Sequence, residues 1–172
     1  MKNERFRAII GTLILLIQNG KVLLAKRKNT GFGDGFWAFP GGHLNGNEPM
    51  QEGLARECFE ELGITLNKET LRYVTAVHVA PHFRTDQEVV LFCFSASSWQ
   101  GTLENKEPDR CEEIRFFSFD EMPQNFLEGS KQCFDDFLEQ RSFSELHWKE
   151  SSYNLLKATN EAATQLGVGL PK

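Results

Sequence analysis

The sequence predicts an α/β domain of five or so strands and two helices, on three patterns. Asn19-Gly20 stands between two apolar runs, the strongest short-range hairpin signal. Apolar residues recur at helical spacing at Leu54, Ala55, Cys58, Phe59 and Leu62, and again at Cys133, Phe134, Phe137 and Leu138. Between these helices, residues 71–80 and 88–96 are rich in β-branched, aromatic and apolar side chains and read as strands.

The elements follow in chain order. Residues 8–17 and 22–27 pair as the hairpin. Lys2, Arg5 and Arg7 before the first run mimic a signal peptide. The run is short for a membrane span, and Gln18-Asn19-Gly20-Lys21 follows in place of a small-residue cleavage site, so no targeting segment is expected. Residues 30–35 form a glycine-rich loop, and 36–39 a short strand stopped by Pro40-Gly41-Gly42. Residues 49–62 form a helix: Pro49 suits its first turn, Glu48 and Glu52 complement its dipole, and Gly63 ends it. Gly53 weakens its interior. Residues 115–119 make a shorter strand, 120–123 a turn, and 129–140 the second helix. The domain is expected over 1–142, with 143–172 as a C-terminal extension, helical (at 153–166) or partly disordered.

Composition sets the outer limits. The 172 residues fit one domain, and 40% hydrophobic with 25% charged residues is ordinary for a soluble chain. A net charge of −5 excludes coating nucleic acid by bulk charge. Phosphates, if bound, need local cations or metal ions. The cysteines at 58, 93, 111 and 133 form no CxxC, and His78 and His82 have no cysteine pair at zinc-ligand spacing. Reduced thiols in a cytoplasmic protein are the expectation. The 15 phenylalanines, mostly beyond residue 80, predict an aromatic-rich core.

The chemistry concentrates between Gly42 and Ile64. Glu57, Glu60 and Glu61 at i, i+3 and i+4 share one helix face. Like charges so close repel, and a divalent cation reverses that balance; Mg²⁺ favours carboxylate oxygens and keeps substrate phosphates in its shell. Arg56 stands beside Glu57 and four residues before Glu60. The glycines of Pro40-Gly41-Gly42 let backbone approach a metal or phosphate. A solvated acidic stripe is the plainer alternative for the glutamates taken alone.

The whole spacing weakens that alternative. From Gly42, five residues lead to Glu48, and seven more to Arg56-Glu57-Cys58-Phe59-Glu60-Glu61-Leu62-Gly63-Ile64. This resembles the Nudix box, G-x5-E-x7-R-E-U-x-E-E-x-G-U, at eight of nine specified positions. Cys58 stands where a bulky aliphatic is usual, and a thiol is apolar enough to pack there. Residues 23–27, 36–44 and 107–117 are similar to the corresponding stretches of MutT-like Nudix hydrolases, so the resemblance spans 6 to about 140.

The resemblance implies an α/β/α sandwich with a central mixed sheet. It implies Mg²⁺, or Mn²⁺ in its place, on Glu57, Glu60, Glu61 and the Gly41 carbonyl. Arg56 would orient a carboxylate, Glu48 would hold the loop–helix geometry, and Glu57 would serve as general base. A further glutamate from a later loop is expected, Glu113 with Glu112 in reserve; an exposed loop pair is the alternative. Arg27 and Lys26, Gly42 and His43 are substrate-phosphate candidates or ordinary surface groups. Trp37 and Phe39 share a strand face, either stacking on a base or packing in the core. His78, His82 and Phe83 are weaker pocket candidates.

The implied reaction is hydrolysis of a nucleoside triphosphate, ordinary or oxidised, to monophosphate and pyrophosphate. Pro81, 17 residues beyond Ile64, is a weak cue to the alternative, an ADP-ribose-type nucleotide-sugar pyrophosphatase. A nucleotide-binding module without turnover is a third reading, opposed by the full set of carboxylates. An RNA-cap hydrolase lacks an obvious basic surface in the composition. The partner is a small nucleotide, with no membrane and no bulk nucleic acid. A homodimer is compatible with the long extension.

Overall fold

The protein is described by a computed structural model over residues 6–81 and 87–148. Its first two strands, β1 (Ile9–Gln18) and β2 (Lys21–Arg27), meet at Ile17↔Val22 and Gln18↔Lys21. Asn19 and Gly20 between them have φ of 53° and 70°, the left-handed pair that a two-residue turn of this twist requires. The chain continues through β3 (Trp37–Ala38), β4 (Gly41–His43), α1 (Met50–Leu62) and β5 (Thr65–Leu66). After a 3₁₀ turn come β6 (Arg72–Val79), β7 (Val89–Ala96), β8 (Trp99–Gln100), β9 (Cys111–Ser118), α2 (Glu128–Glu139) and β10 (Phe143–Leu146).

The main sheet runs β10-β6-β7-β1-β2-β3, with β4 also on β1 and β9 also on β2. β1 is parallel to β7, and β10 to β6; the other pairings are antiparallel, so the sheet is mixed as expected. Strand alternation sends neighbouring residues to opposite layers. Ile14, Leu16 and Leu23 pack with Leu54, Cys58 and Leu62 of α1. Leu15, Val22 and Leu24 pack with Cys133 and Phe134 of α2. Cys58 is fully buried in the α1 layer, as its packing reading requires. The α2 layer is aromatic: Phe39 meets Phe126 edge-on at 5.5 Å, and Phe119 meets Phe134 at 5.4 Å.

Two elements depart from the sequence reading. β9 starts at Cys111, four residues before the expected 115, so Glu112 and Glu113 lie inside a strand rather than in a preceding loop. Residues 143–146 are a strand and not helix: β10 lies parallel on β6 from Phe143↔Ala76 to Leu146↔Val79. Asp136 of α2 fastens it, accepting from Ser144 Oγ at 2.6 Å and from Thr75 Oγ1 of β6 at 2.8 Å. The helix expected at 153–166 lies outside the described residues.

Candidate active site

The site is built where β4 crosses β1 and hands the chain to α1. Gly41 has φ 133°, and a Cβ there would drive into the Thr12 carbonyl oxygen of β1; only glycine lets the two strands approach this closely. Its N–H donates to Glu61 Oε2 at 2.9 Å. One residue on, a Cβ at Gly42 would lie 2.6 Å from the Glu57 carboxyl carbon. The two glycines therefore seat two carboxylates of α1 directly against backbone. Burial pushes the Glu61 carboxyl up to about 7, the Gly41 N–H opposes this, and the charges of Glu57 and Glu107 add to the rise.

Arg56 ties the acidic groups together. Its Nη2 and Nε donate to the two oxygens of Glu48 at 2.9 and 3.2 Å, a two-point grip. Its Nη1 donates to Glu57 Oε1 at 2.7 Å and Glu60 Oε2 at 3.2 Å, and Nη2 reaches the His43 carbonyl at 3.3 Å. Glu48 also accepts from the Asn45 N–H at 2.6 Å, which fastens the loop before the helix. The Arg56 contact, followed by the Asn45 N–H, holds the Glu48 carboxyl below its ordinary value.

Among the described residues no three His, Cys, Asp or Glu side chains converge closely enough to hold an ion as they stand. Arg56 draws Glu57 and Glu60 toward itself, while Gly41 holds Glu61. The donor chemistry nevertheless fits a hard divalent cation: the groups are carboxylate oxygens beside exposed backbone, and their mutual repulsion is what such a cation relieves.

The other expected residues fall into place unequally. Arg27 braces the loop after β2, donating Nε to the Phe32 carbonyl at 2.8 Å and Nη2 to Thr30 Oγ1 at 3.0 Å. Burial pushes its guanidinium below the ordinary value, while Glu61 and Asp34 pull the other way, so it stands within electrostatic reach of the carboxylates. His43 is exposed at the end of β4. Trp37 is a correction. It is 6% exposed in the α2 layer, edge-on to Phe117 at 4.8 Å and with Arg115 5.2 Å over its ring. It packs in the core, as does Phe39, and offers no stacking platform.

Glu113 is a second correction: its Oε1 pairs with Arg115 Nη2 at 2.6 Å, on the strand rather than beside Glu57 or Glu61. Glu112 pairs with Lys26 at 2.9 Å. His78 pairs with Glu88 at 2.7 Å and lies 4.7 Å from the Trp148 ring, and His82 and Phe83 lie outside the described residues. The acidic group that does act on Glu61 is Glu107, from the loop before β9. Sequence reading quoted Glu107 within a family-like stretch and assigned it no role; its position depends on contacts with α1 that no local pattern encodes. The Lys106 N–H donates to the Glu61 carbonyl at 2.9 Å and brings that loop to the helix end.

A family model described as NUDIX domain matches residues 7–137. An 8-oxo-dGTP diphosphatase of Proteus vulgaris is 33% identical over 94 residues, 55% of this chain and 80% of that protein. An oxidized purine nucleoside triphosphate hydrolase of Mus musculus is 35% identical over 115 residues, 65% of this chain and 67% of that protein. The crystal structure of a MutT NUDIX hydrolase from Burkholderia pseudomallei superposes with a TM-score of 0.70 at 27% identity, covering 76% of this chain and 98% of its own.

Proposed function

Because the chain belongs to the NUDIX family, we propose that it is a Mg²⁺-dependent pyrophosphohydrolase of nucleoside triphosphates, with oxidised purine nucleotides as the preferred class. The observation that carries this reading is the Gly41-Gly42 cradle, which seats Glu57 and Glu61 against backbone while Arg56 spans Glu48, Glu57 and Glu60. The relatives' activities support the substrate class.

Glu57, Glu60, Glu61 and the Gly41 carbonyl are the groups that would hold the ion. When bound, Mg²⁺ supplies neutralisation of phosphate charge and a lower pKa for a coordinated water. Arg56 fixes the carboxylate geometry, so that little reorganisation remains once substrate arrives. Glu57 accepts the proton of the attacking water. That water forms a new P–O bond, the bond to the pyrophosphate oxygen breaks, and the products are a nucleoside monophosphate and pyrophosphate. Glu107 takes the part that the family resemblance gave to Glu113, a carboxylate from a later loop next to Glu61. Arg27 faces the same carboxylates and meets the phosphates from the β2 end.

The test is a substrate panel of 8-oxo-dGTP, dGTP, ATP and ADP-ribose with Mg²⁺ and product identification. Pyrophosphate with 8-oxo-dGMP is the expected outcome, lost in Glu57→Gln. Turnover of ADP-ribose alone overturns the triphosphate reading, and nucleotide binding without turnover overturns the enzyme.

A further inference from the structure

We infer that Arg110, together with Arg27, forms a two-guanidinium seat for the phosphate chain of a metal-bound nucleotide; the inference rests on the hydrolase reading above. The loop before β9 is fastened on both sides of that seat. Toward α1, the Glu104 N–H donates to the Leu62 carbonyl at 3.0 Å and the Lys106 N–H to the Glu61 carbonyl at 2.9 Å. Toward β2, the Lys28 N–H donates to the Arg110 carbonyl at 2.8 Å, and Asn29 Nδ2 to the Asp109 carbonyl at 3.1 Å. Within the loop, Asn105 Nδ2 donates to the Cys111 carbonyl at 2.8 Å, and the Arg110 N–H to the Glu107 carbonyl at 2.9 Å. These contacts use backbone and the side chains of Asn29 and Asn105. The Arg110 side chain takes no part in them, so the loop keeps its shape without it.

The charge pattern singles out the two arginines. The neighbouring cations are committed: Lys26 to Glu112 at 2.9 Å, Arg115 to Glu113 at 2.6 Å, and Arg56 to three carboxylates. Lys28 directs its ammonium at the Pro108 carbonyl, 3.3 Å away. Among the described residues, neither Arg27 nor Arg110 has a carboxylate within the 4.0 Å of an ion pair. Arg110 is exposed, and its charge acts on Arg27, adding to the effect of burial.

Two guanidiniums that repel each other are relieved by an anion bridging both, and their planar forks suit phosphate oxygens. A bare anion would be repelled by Glu57, Glu61 and Glu107 nearby. An anion that already carries a divalent cation escapes that repulsion. The seat thus selects a metal-complexed polyphosphate over a simple anion of similar size. It also places Arg110 on the loop that carries Glu107, so one loop supplies both an acidic group beside Glu61 and a cation for the phosphates.

The experiment compares the full chain with Arg110→Ala, Arg110→Lys and the distant charge control Lys21→Ala. Steady-state kinetics are measured on the triphosphate that the wild type turns over. Calorimetry gives the Kd for Mg·pyrophosphate, which needs no turnover. Arg110→Ala is expected to raise both KM and Kd about tenfold, with kcat within about twofold and an unchanged Tm. Arg110→Lys restores part of the affinity, and Lys21→Ala changes neither constant. Binding of Mg·pyrophosphate by Arg110→Ala within about twofold of wild type overturns the seat, as does no binding by the wild type. If the wild type hydrolyses no triphosphate yet Arg110→Ala weakens pyrophosphate binding, the seat stands and the hydrolase reading falls.

Discussion

Replacing Gly42 by alanine moves one carboxylate and changes no charge. A Cβ there meets the Glu57 carboxyl carbon at 2.6 Å and both of its oxygens at 2.7 Å. Ordinary contact begins at 3.4 Å, so the carboxylate must retreat by 3.4 − 2.6, about 0.8 Å. The group that yields is the end of a flexible side chain, and Gly42 lies outside the left-handed region, so the backbone is not strained. Stability should fall by about 1 kcal/mol at most, which is about 2–4 °C in Tm for a chain of this size. Activity should fall far more, because a misplacement of about 1 Å costs on the order of a hundredfold. Pyrophosphate release and thermal unfolding, run on the same preparation, read the two effects separately. Activity within about threefold of wild type would refute the claim that Glu57 works from its seat on Gly42.

The neighbouring glycine gives the opposite profile. At Gly41 the added Cβ strikes backbone, the Thr12 carbonyl oxygen, from a φ of 133°. Neither side can yield cheaply, so Gly41→Ala should lose about 3 kcal/mol or more and unfold first. The two substitutions thus separate site geometry from strand pairing. A Gly41→Ala protein more stable than Gly42→Ala contradicts the account of both.

Three further outcomes are expected. Glu57→Gln keeps the side chain's shape and should lower kcat about 10³-fold with or without excess Mg²⁺; a loss under about tenfold removes Glu57 as the base. Asp136 is fully buried and accepts from Thr75 at 2.8 Å, Gln132 at 3.0 Å, Ser144 at 2.6 Å and Arg141 at 2.9 Å. Burial raises its pKa but those bonds outweigh it, so the carboxyl sits below its ordinary value. Its stabilisation is therefore present above about pH 4 and lost as pH falls through the folded value. Asp136→Asn should cost about 2–4 kcal/mol in urea unfolding at pH 7 and less near pH 2; equal losses at both would sink the assignment. Glu61 has the reverse sign. Pushed up from an ordinary 4.5 to about 7, it stabilises the metal-free fold below 4.5, and that contribution is lost as pH rises through about 7. The Tm gain on adding Mg²⁺ should accordingly grow from pH 6 to pH 8, vanish with EDTA and flatten in Glu61→Gln; a gain independent of pH counts against Glu61 as a ligand.

The parts of this molecule that were legible in its sequence are those whose causes are local. Asn19-Gly20 sets its own turn, and α1 carries its own apolar stripe, N-terminal proline and C-terminal glycine. The acidic face of α1 is a matter of spacing, so Arg56 was expected to meet Glu57 and Glu60, and its Nη1 contacts both. Elements made by pairing were not legible. Gly41-Gly42-His43 has no strand propensity of its own; β4 exists because the long β1 offers an edge to it. β10 is four residues, too short to show a period, and is fixed by β6 and by Asp136 from α2.

The misassigned site residues fail for a related reason, which is that alternation tells which side chains share a face and not which face holds the chemistry. Trp37 and Phe39 do lie in one layer, as their spacing requires. That layer is the one α2 covers, and the carboxylates come from α1 on the other side. Glu113 follows the same rule. β9 pairs with β2 from Lys21↔Ser118 to Lys26↔Glu113, and a register shift intervenes before Arg27↔Cys111. Register puts Glu113 in step with Arg115, which lies over Trp37 and Phe117 in the α2 layer, and turns it away from α1. The glutamate nearest the helix must then come from before the strand, where the chain is free to bend back, and the Lys106–Glu61 backbone contact bends it there. One register choice between β2 and β9 therefore decides which acidic residue can serve the site, and it excludes Glu113 while leaving Glu107.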